Sequence, residues 1–222
     1  MKRLTKATLR TALNLLFFSV IGTAILAFTF NLTYELIAQS EEKAKLQLIN
    51  QVAPQSLYDN ELIKDSITVP ASAQLGTEQD TVAYRGRLKG QPSLIVLEAI
   101  APDGYSGKIA MIVAISYAGN ITGVRVVTHK ETPGLGDYID IARNQWINLF
   151  AGTSHQRYGE DEWKVKKDGG QIDYMAGATI TPRAVAKAVH NALHYAEENR
   201  ASLFAENEID TKGASKQEAG TK

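Results

Sequence analysis

Residues 11–34 carry no charged side chain, and no other feature of the chain limits its folding so strongly. In lipid every backbone N–H and C=O must be satisfied within its own segment, so an apolar run of this length has to be helical. At about 1.5 Å per residue the run spans roughly 36 Å, enough to cross a bilayer core. Lys2, Arg3, Lys6 and Arg10 precede it, whereas Glu35, Glu41 and Glu42 follow. The positive-inside rule therefore sets the N-terminus in the cytoplasm and everything after residue 34 on the other side. A cleaved signal peptide is the competing reading. The run is longer than a usual signal h-region and ends without a small-x-small cleavage site, so a retained anchor is expected.

Beyond the anchor, Leu36, Ile37, Ala44, Leu48 and Val52 recur among Glu, Lys and Gln. This spacing extends the helix as a juxtamembrane stalk until Pro54 stops it. A looser connector with Pro70 and Gly76 follows to about Asp80. Four runs rich in Val, Ile and Leu, at 82–88, 93–100, 108–116 and 121–128, read as strands. Turns such as Lys89-Gly90-Gln91-Pro92 and Ala118-Gly119-Asn120 are short enough to favour antiparallel hairpins. A helix is expected over 138–150, with Ile139, Ala142, Trp146, Leu149 and Phe150 on one face and Gly152 as its stop. A second begins after Pro182, where Val185, Val189, Ala192 and Ala196 share a face. A sheet with segregated helices is an α+β fold. The resulting division is a cytoplasmic N-terminus at 1–10, a transmembrane helix at 11–34, a stalk and connector at 35–80, a folded domain at 81–204 and a polar tail at 205–222, expected to be disordered.

Composition excludes several chemistries. Basic and acidic residues number 24 each, so no charge bias points to nucleic acid as a partner. With no cysteine there is no disulfide, thiolate-ligated cluster or Cys-based zinc site. Of the four histidines, His190 and His194 stand four apart and are read as an ordinary helix face, with no metal site expected. No nucleophile, base and orienting acid occur at a recognisable spacing, so no catalytic residues are assigned.

Two segments carry chemistry. Asp173-Tyr174-Met175-Ala176-Gly177-Ala178-Thr179-Ile180-Thr181-Pro182 sets two threonine hydroxyls and a glycine just before a helix. With Pro182 at the first helical position, Thr181 is the expected N-cap, its hydroxyl taken by the N–H of Ala184. Thr179 then keeps a free hydroxyl at the positive end of the helix dipole, where a phosphate is favoured. The plain local reading is a capped helix after a glycine turn. The other segment, His129-Lys130-Glu131-Thr132-Pro133-Gly134-Leu135-Gly136-Asp137, places Pro133-Gly134 at the centre of a type II turn and lets backbone approach a flat ligand closely. Its plain reading is a strand-to-helix loop.

Together these segments resemble the Asp-x-x-(Ser/Thr)-Gly-Ala-Thr and His-x-Glu-Thr-Pro-Gly-Leu-Gly signatures of a family of FMN-binding domains. Ala176 replaces the usual Ser/Thr. The glycine loops 101–107 and 163–170 match as well, in order, so that with the anchor the resemblance covers nearly the whole chain. It is to the G subunits of Rnf (Rsx) electron-transport complexes and, less closely, to the C subunits of sodium-pumping NADH:quinone reductases.

The resemblance implies FMN esterified through its phosphate to Thr179. Asp173, Gly177, Ala178 and Thr181 would surround the linkage, while His129, Glu131, Thr132, Gly134 and Leu135 would lie near the flavin. Glu131 and Thr132 could hydrogen-bond the ring or ribityl chain, Leu135 could cover an apolar edge, and Lys166, Lys167 or Arg183 could offset phosphate charge. It further implies a separate flavin transferase using FAD and a divalent cation, partner membrane subunits, and a bacterial inner-membrane location with the domain in the periplasm. Electron transfer would be coupled, at the level of the complex, to ion movement. The rival functions are an FMN-holding sensory module outside a respiratory complex, and a structural subunit whose flavin site has decayed.

Overall fold

An apolar run without water to bond its amides must close its own hydrogen bonds, and in the computed structural model α1 is one continuous helix, Lys2–Val52. The structure describes residues 2–205, so all but the first residue of the tail expected at 205–222 lies outside the described residues. Within α1, Leu9–Tyr34 has a mean hydropathy of 2.1 and is long and apolar enough to cross a membrane. Phe17, Phe18, Leu26 and Phe28 are exposed there. The hydroxyls of Thr29 and Thr33 donate to the carbonyls of Ile25 and Thr29, each at 2.9 Å, which satisfies them inside the helix. Pro54, lacking an N–H, follows the helix end as expected.

The chain divides into two compact units, Met1–Leu46 and Gln47–Lys222. The second holds an antiparallel sheet, β1 (Ser66–Val69), β2 (Thr81–Leu88), β3 (Gln91–Gly104), β4 (Gly107–Ser116) and β5 (Ile121–Thr128), in that spatial order. The α+β expectation holds. The β2–β3 turn puts Lys89 (φ 52°) and Gly90 (φ 76°) in the left-handed region, the primed geometry whose twist matches flanking strands. Strand β1 lies in the segment read from sequence as connector. Four residues give too little alternation to detect. It is held partly by Asp65, just before it, whose carboxylate takes the buried Arg85 and, at 2.7 Å, Arg87 from β2.

On one face of the sheet Ile95, Leu97 and Ala99 from β3 and Met111, Val113 and Ile115 from β4 pack with α2 (Ile180–Glu198). The α2 stripe is the expected one, Val185, Val189, Ala192 and Ala196, all buried. Leu94, Val96, Ile112 and Ala114, on the other face, are buried too. The last turn of α1 and the residues after it cover part of that face. Thr122 Oγ1 donates to the Val52 carbonyl at 2.7 Å, and a Cβ on Gly123 would come within 2.9 Å of Val52 Cα. A short helix α3 (Arg200–Leu203) follows α2.

The helix expected over 138–150 is not continuous. Two 3-10 segments, Asp137–Ile139 and Gln145–Phe150, replace it. Asp140 Oδ1 accepts the Ala142 N–H and Asn144 Oδ1 the Trp146 N–H, both at 2.9 Å. Such side-chain bonds offer the backbone an alternative to helix. The break rotates the buried face. Ile139, Trp146, Ile147 and Phe150 are buried, while Leu149 is 41% exposed.

Against the outer side of α2, Trp163 stacks on His190 with centroids 4.9 Å apart. Burial is the chief reason the His190 pKa is pushed down to about 4, helped by His194 and His155 and opposed by Glu160 and Glu197. The ring is neutral when folded, whereas in the unfolded chain it takes a proton near pH 6.5. Its contribution is therefore intact above about pH 6.5 and lost as pH falls from there to about 4. For metal-free protein we expect unfolding free energy to drop by about 3 kcal/mol over that window. Urea titrations at several pH values should show the drop, and His190→Gln should flatten it.

Candidate functional site

The start of α2 differs from the expectation. Its N-cap is Thr179, and Thr181 lies inside the first turn. Thr179 adopts helical dihedrals (φ −91°, ψ −21°) rather than the extended ones of a capping residue, and its side chain caps nothing. The hydroxyl thus remains available beside the first-turn N–H groups, a turn with no acidic residue of its own. Gly177 (φ 88°) allows the tight turn before it, in which the Ala178 N–H donates to the Met175 carbonyl at 3.1 Å. Ala176 occupies the other central position of this turn and is exposed.

Thr181 is 1% exposed, and its hydroxyl donates to Glu131 Oε2 rather than capping the helix. Glu131, 4% exposed, also accepts the Ser106 N–H on Oε1 at 3.0 Å. One buried carboxylate thus joins the 105–107 turn, the loop after β5 and the start of α2. Gly136 is required beside it, because a Cβ there would lie 2.8 Å from Glu131 Oε2 and 2.9 Å from Thr181 Oγ1. The loop itself turns as expected. Gly134 has φ 77°, and the Leu135 N–H donates to the Thr132 carbonyl at 3.1 Å, the geometry of a turn with Pro133 and Gly134 at its centre.

These segments enclose a cavity of about 390 Å³ lined by Tyr105, Glu131, Thr132, Leu135, Gly136, Gly177, Ala178, Thr179, Ile180 and Thr181. Tyr105, Leu135 and Ile180 leave large apolar surface in solvent, 68%, 50% and 46% exposed. Apolar groups gathered around a few polar ones in a concavity are the usual make-up of a small-molecule site.

Of the residues singled out from sequence, Asp173, His129 and Gly134 lie outside the lining. Asp173 pairs with Lys166 at 2.5 Å. His129 Nδ1 accepts the Glu131 N–H at 3.1 Å, and Gly134 donates its N–H to Asp137 Oδ1 at 2.8 Å. These three shape the loops. Arg183 makes a two-point pair with Asp168, at 2.5 and 2.7 Å, which holds the Asp168 carboxyl below its usual range. Neither Arg183 nor Lys166 is free to serve the cavity.

Two supports were not singled out. Trp146 Nε1 donates to the Asp173 carbonyl at 2.7 Å, and Tyr138 hydroxyl donates to the Ala178 carbonyl at 3.2 Å while accepting the Met175 N–H at 3.3 Å. Burial raises the Tyr138 pKa, partly offset by Met175, so the phenol keeps the proton it donates. From sequence Trp146 was visible only as part of an apolar helix face and Tyr138 only as the start of that helix. Tyr105 lies in the recognised glycine loop 101–107, and its approach to Thr179 is a product of the fold.

Comparison with known proteins bears on the same segments. Residues 104–194 match the family model of an FMN-binding domain, and residues 1–52 that of the RnfG N-terminal region. The chain is similar to the G subunit of the ion-translocating oxidoreductase complex of Vibrio atlanticus (strain LGP32), 46% identical over 197 residues, covering 89% of this chain and 94% of that protein. It is 44% identical over 194 residues to the protein of the same name from Vibrio cholerae (strain M66-2), covering 87% and 92%. For that of Pseudomonas aeruginosa (strain UCBPP-PA14) the identity is 42% over 203 residues, covering 91% and 95%.

Removing the hydroxyl of Thr181 leaves a buried carboxylate oxygen without its donor, which costs about 1–3 kcal/mol. We expect Thr181→Ala and Gly136→Ala each to lower the urea midpoint accordingly, Thr181→Ser to restore most of it, and Leu135→Ala, on the exposed rim, to leave it nearly unchanged.

Proposed function

Since the chain belongs to the family of G subunits of ion-translocating oxidoreductase complexes, we propose that it carries FMN through a phosphoester on Thr179 and relays electrons among other members of such a complex. The observation that carries this reading is the Thr179 side chain: uncapped, in the wall of the cavity, at the positive end of α2. The residues present fit the group. Glycines at 136 and 177 keep the backbone open to close approach, Tyr105, Leu135 and Ile180 offer apolar cover, and Thr132 offers a polar contact. Bound there, FMN would supply one-electron transfer between partners.

The chain's own residues have distinct tasks. Thr179 provides the ester oxygen, and the first turn of α2 faces the phosphate with N–H groups. With Arg183 and Lys166 paired to aspartates, the helix terminus rather than either of these side chains balances the phosphate. Glu131, its oxygens engaged by Ser106 and Thr181, acts as the brace that keeps the walls in place, and Thr132 is left for the ring or ribityl chain.

A threonine hydroxyl is a poor nucleophile unaided, so attachment calls for a separate enzyme, which the family resemblance implies is a flavin transferase using FAD and a divalent cation. The charges around the anchor support a cytoplasmic N-terminus and a periplasmic domain, in a single-pass protein of the inner membrane held by lipid around residues 11–34. Outside the cytoplasm free FMN is scarce, and a covalent link prevents its loss. The protein is then one redox component of an ion translocase, without a self-contained reaction.

The test is intact mass and in-gel flavin fluorescence of denatured protein from a host that has the transferase. We expect an FMN-sized increment mapping to Thr179, lost in Thr179→Ala with an unchanged circular dichroism spectrum. Denaturation-resistant flavin in the variant would overturn the assignment.

A further inference from the structure

Three of the four histidines of the chain come together, one of them from a stretch distant in sequence from the other two. His190 and His194 stand one turn apart on α2, and His155 lies in the loop after the 3-10 segment Gln145–Phe150. Glu160 opens the 3-10 segment Glu160–Trp163. One ligand atom from each of His155, Glu160, His190 and His194 lies within 4.8 Å of every other.

Aromatic packing accounts for the rings meeting, with centroids 4.1 Å (His155 and His194) to 5.0 Å (His155 and His190) apart. It leaves the ring nitrogens unexplained. His155 Nε2 and His190 Nε2 are sealed from solvent and have no hydrogen-bond partner, although a buried polar atom left so costs about 1–3 kcal/mol. His155 Nδ1 lies 2.8 Å from Glu197 Oε2. With a carboxylate accepting there, the proton belongs on Nδ1 and Nε2 presents a bare lone pair. A carboxylate behind the far nitrogen is how metal-binding histidines are commonly held in the right tautomer.

We propose that His155, His190, His194 and Glu160 bind a divalent transition-metal ion, zinc foremost, with Glu197 as the carboxylate that orients His155. Three imidazoles and a carboxylate suit zinc, whereas calcium and magnesium take oxygen ligands. Tetrahedral zinc places its donors about 3.3 Å apart, so the group must tighten by up to about 1.5 Å. Glu160, 73% exposed and already 3.2 Å from His194 Nε2 and 3.6 Å from His190 Nε2, is free to swing inward. Four protein donors make a closed, structural site. No ligand residue lines the Thr179 cavity. The ion would instead staple the loop bearing His155 and Glu160 onto α2, just ahead of the residues that lead through Val165 and Ile172 to Thr179.

The test uses the full-length protein in detergent, stripped with EDTA and titrated with zinc chloride by calorimetry, with thermal melts alongside. Expected are one zinc per chain, a melting temperature raised by zinc and lowered again by EDTA, and visible cobalt bands of four-coordinate intensity after Co²⁺ substitution. His194→Gln and Glu160→Gln alter partly exposed side chains, so they should fold, and each should weaken zinc at least about tenfold. Glu197→Gln should weaken it about tenfold through His155. Absent or non-saturating zinc binding, or affinity unchanged in both folded ligand variants, would overturn the site.

Discussion

The Glu131 carboxylate, buried between the Ser106 N–H and the Thr181 hydroxyl, is the contact on which the cavity depends. It joins a turn between β3 and β4, a loop after β5 and the first turn of α2, three segments distant in sequence. A carboxylate this far from water needs its donors in place, so the positions of Ser106 and Thr181 are tightly specified. Gly136 is the steric corollary. Its neighbours in the clasp leave no room for a methyl group.

The clasp also explains a division of labour between two threonines two residues apart. Thr181 is consumed by structure, and Thr179, in helical conformation at the cap position, is left with its hydroxyl uncommitted. Tyr138 and Trp146 fix the approach to Thr179 by gripping the carbonyls of Ala178 and Asp173. Thr179 is thus presented by a braced turn. Ala176, at the Ser/Thr position of the signature, lies exposed in that turn and outside the cavity wall, so no brace depends on a hydroxyl there.

Helix α2 serves two sites with opposite requirements. Its N-terminus leaves polar capacity open toward the cavity, whereas its outer face gathers His190 and His194 against Trp163, His155 and Glu160, where polar capacity is sealed in. Unpartnered nitrogens at the second site stand out because, among the described residues, every other buried side-chain nitrogen or oxygen has a hydrogen-bond partner, apart from Trp163 Nε1 beside them.

The membrane helix, β2 to β5, the apolar stripe of α2 and the candidacy of Thr179 were all legible in the sequence, because each is written in local order: a charge-free run, short-period apolar patterns, and a glycine turn before a helix. The break at 140–144 was not, since Asp140 and Asn144 bond their own backbone in a stretch whose apolar spacing still reads as helix. Strand β1 escaped because four residues carry too little pattern. Thr181 read as a cap because Pro182 follows it. That its hydroxyl instead meets Glu131, fifty residues earlier, is a tertiary fact. The same holds for His155, which no helical spacing connects to His190 and His194. Periodicity records only what neighbours along the chain do, and the pairings that brace the cavity and gather the histidines exist once the sheet has brought distant segments side by side.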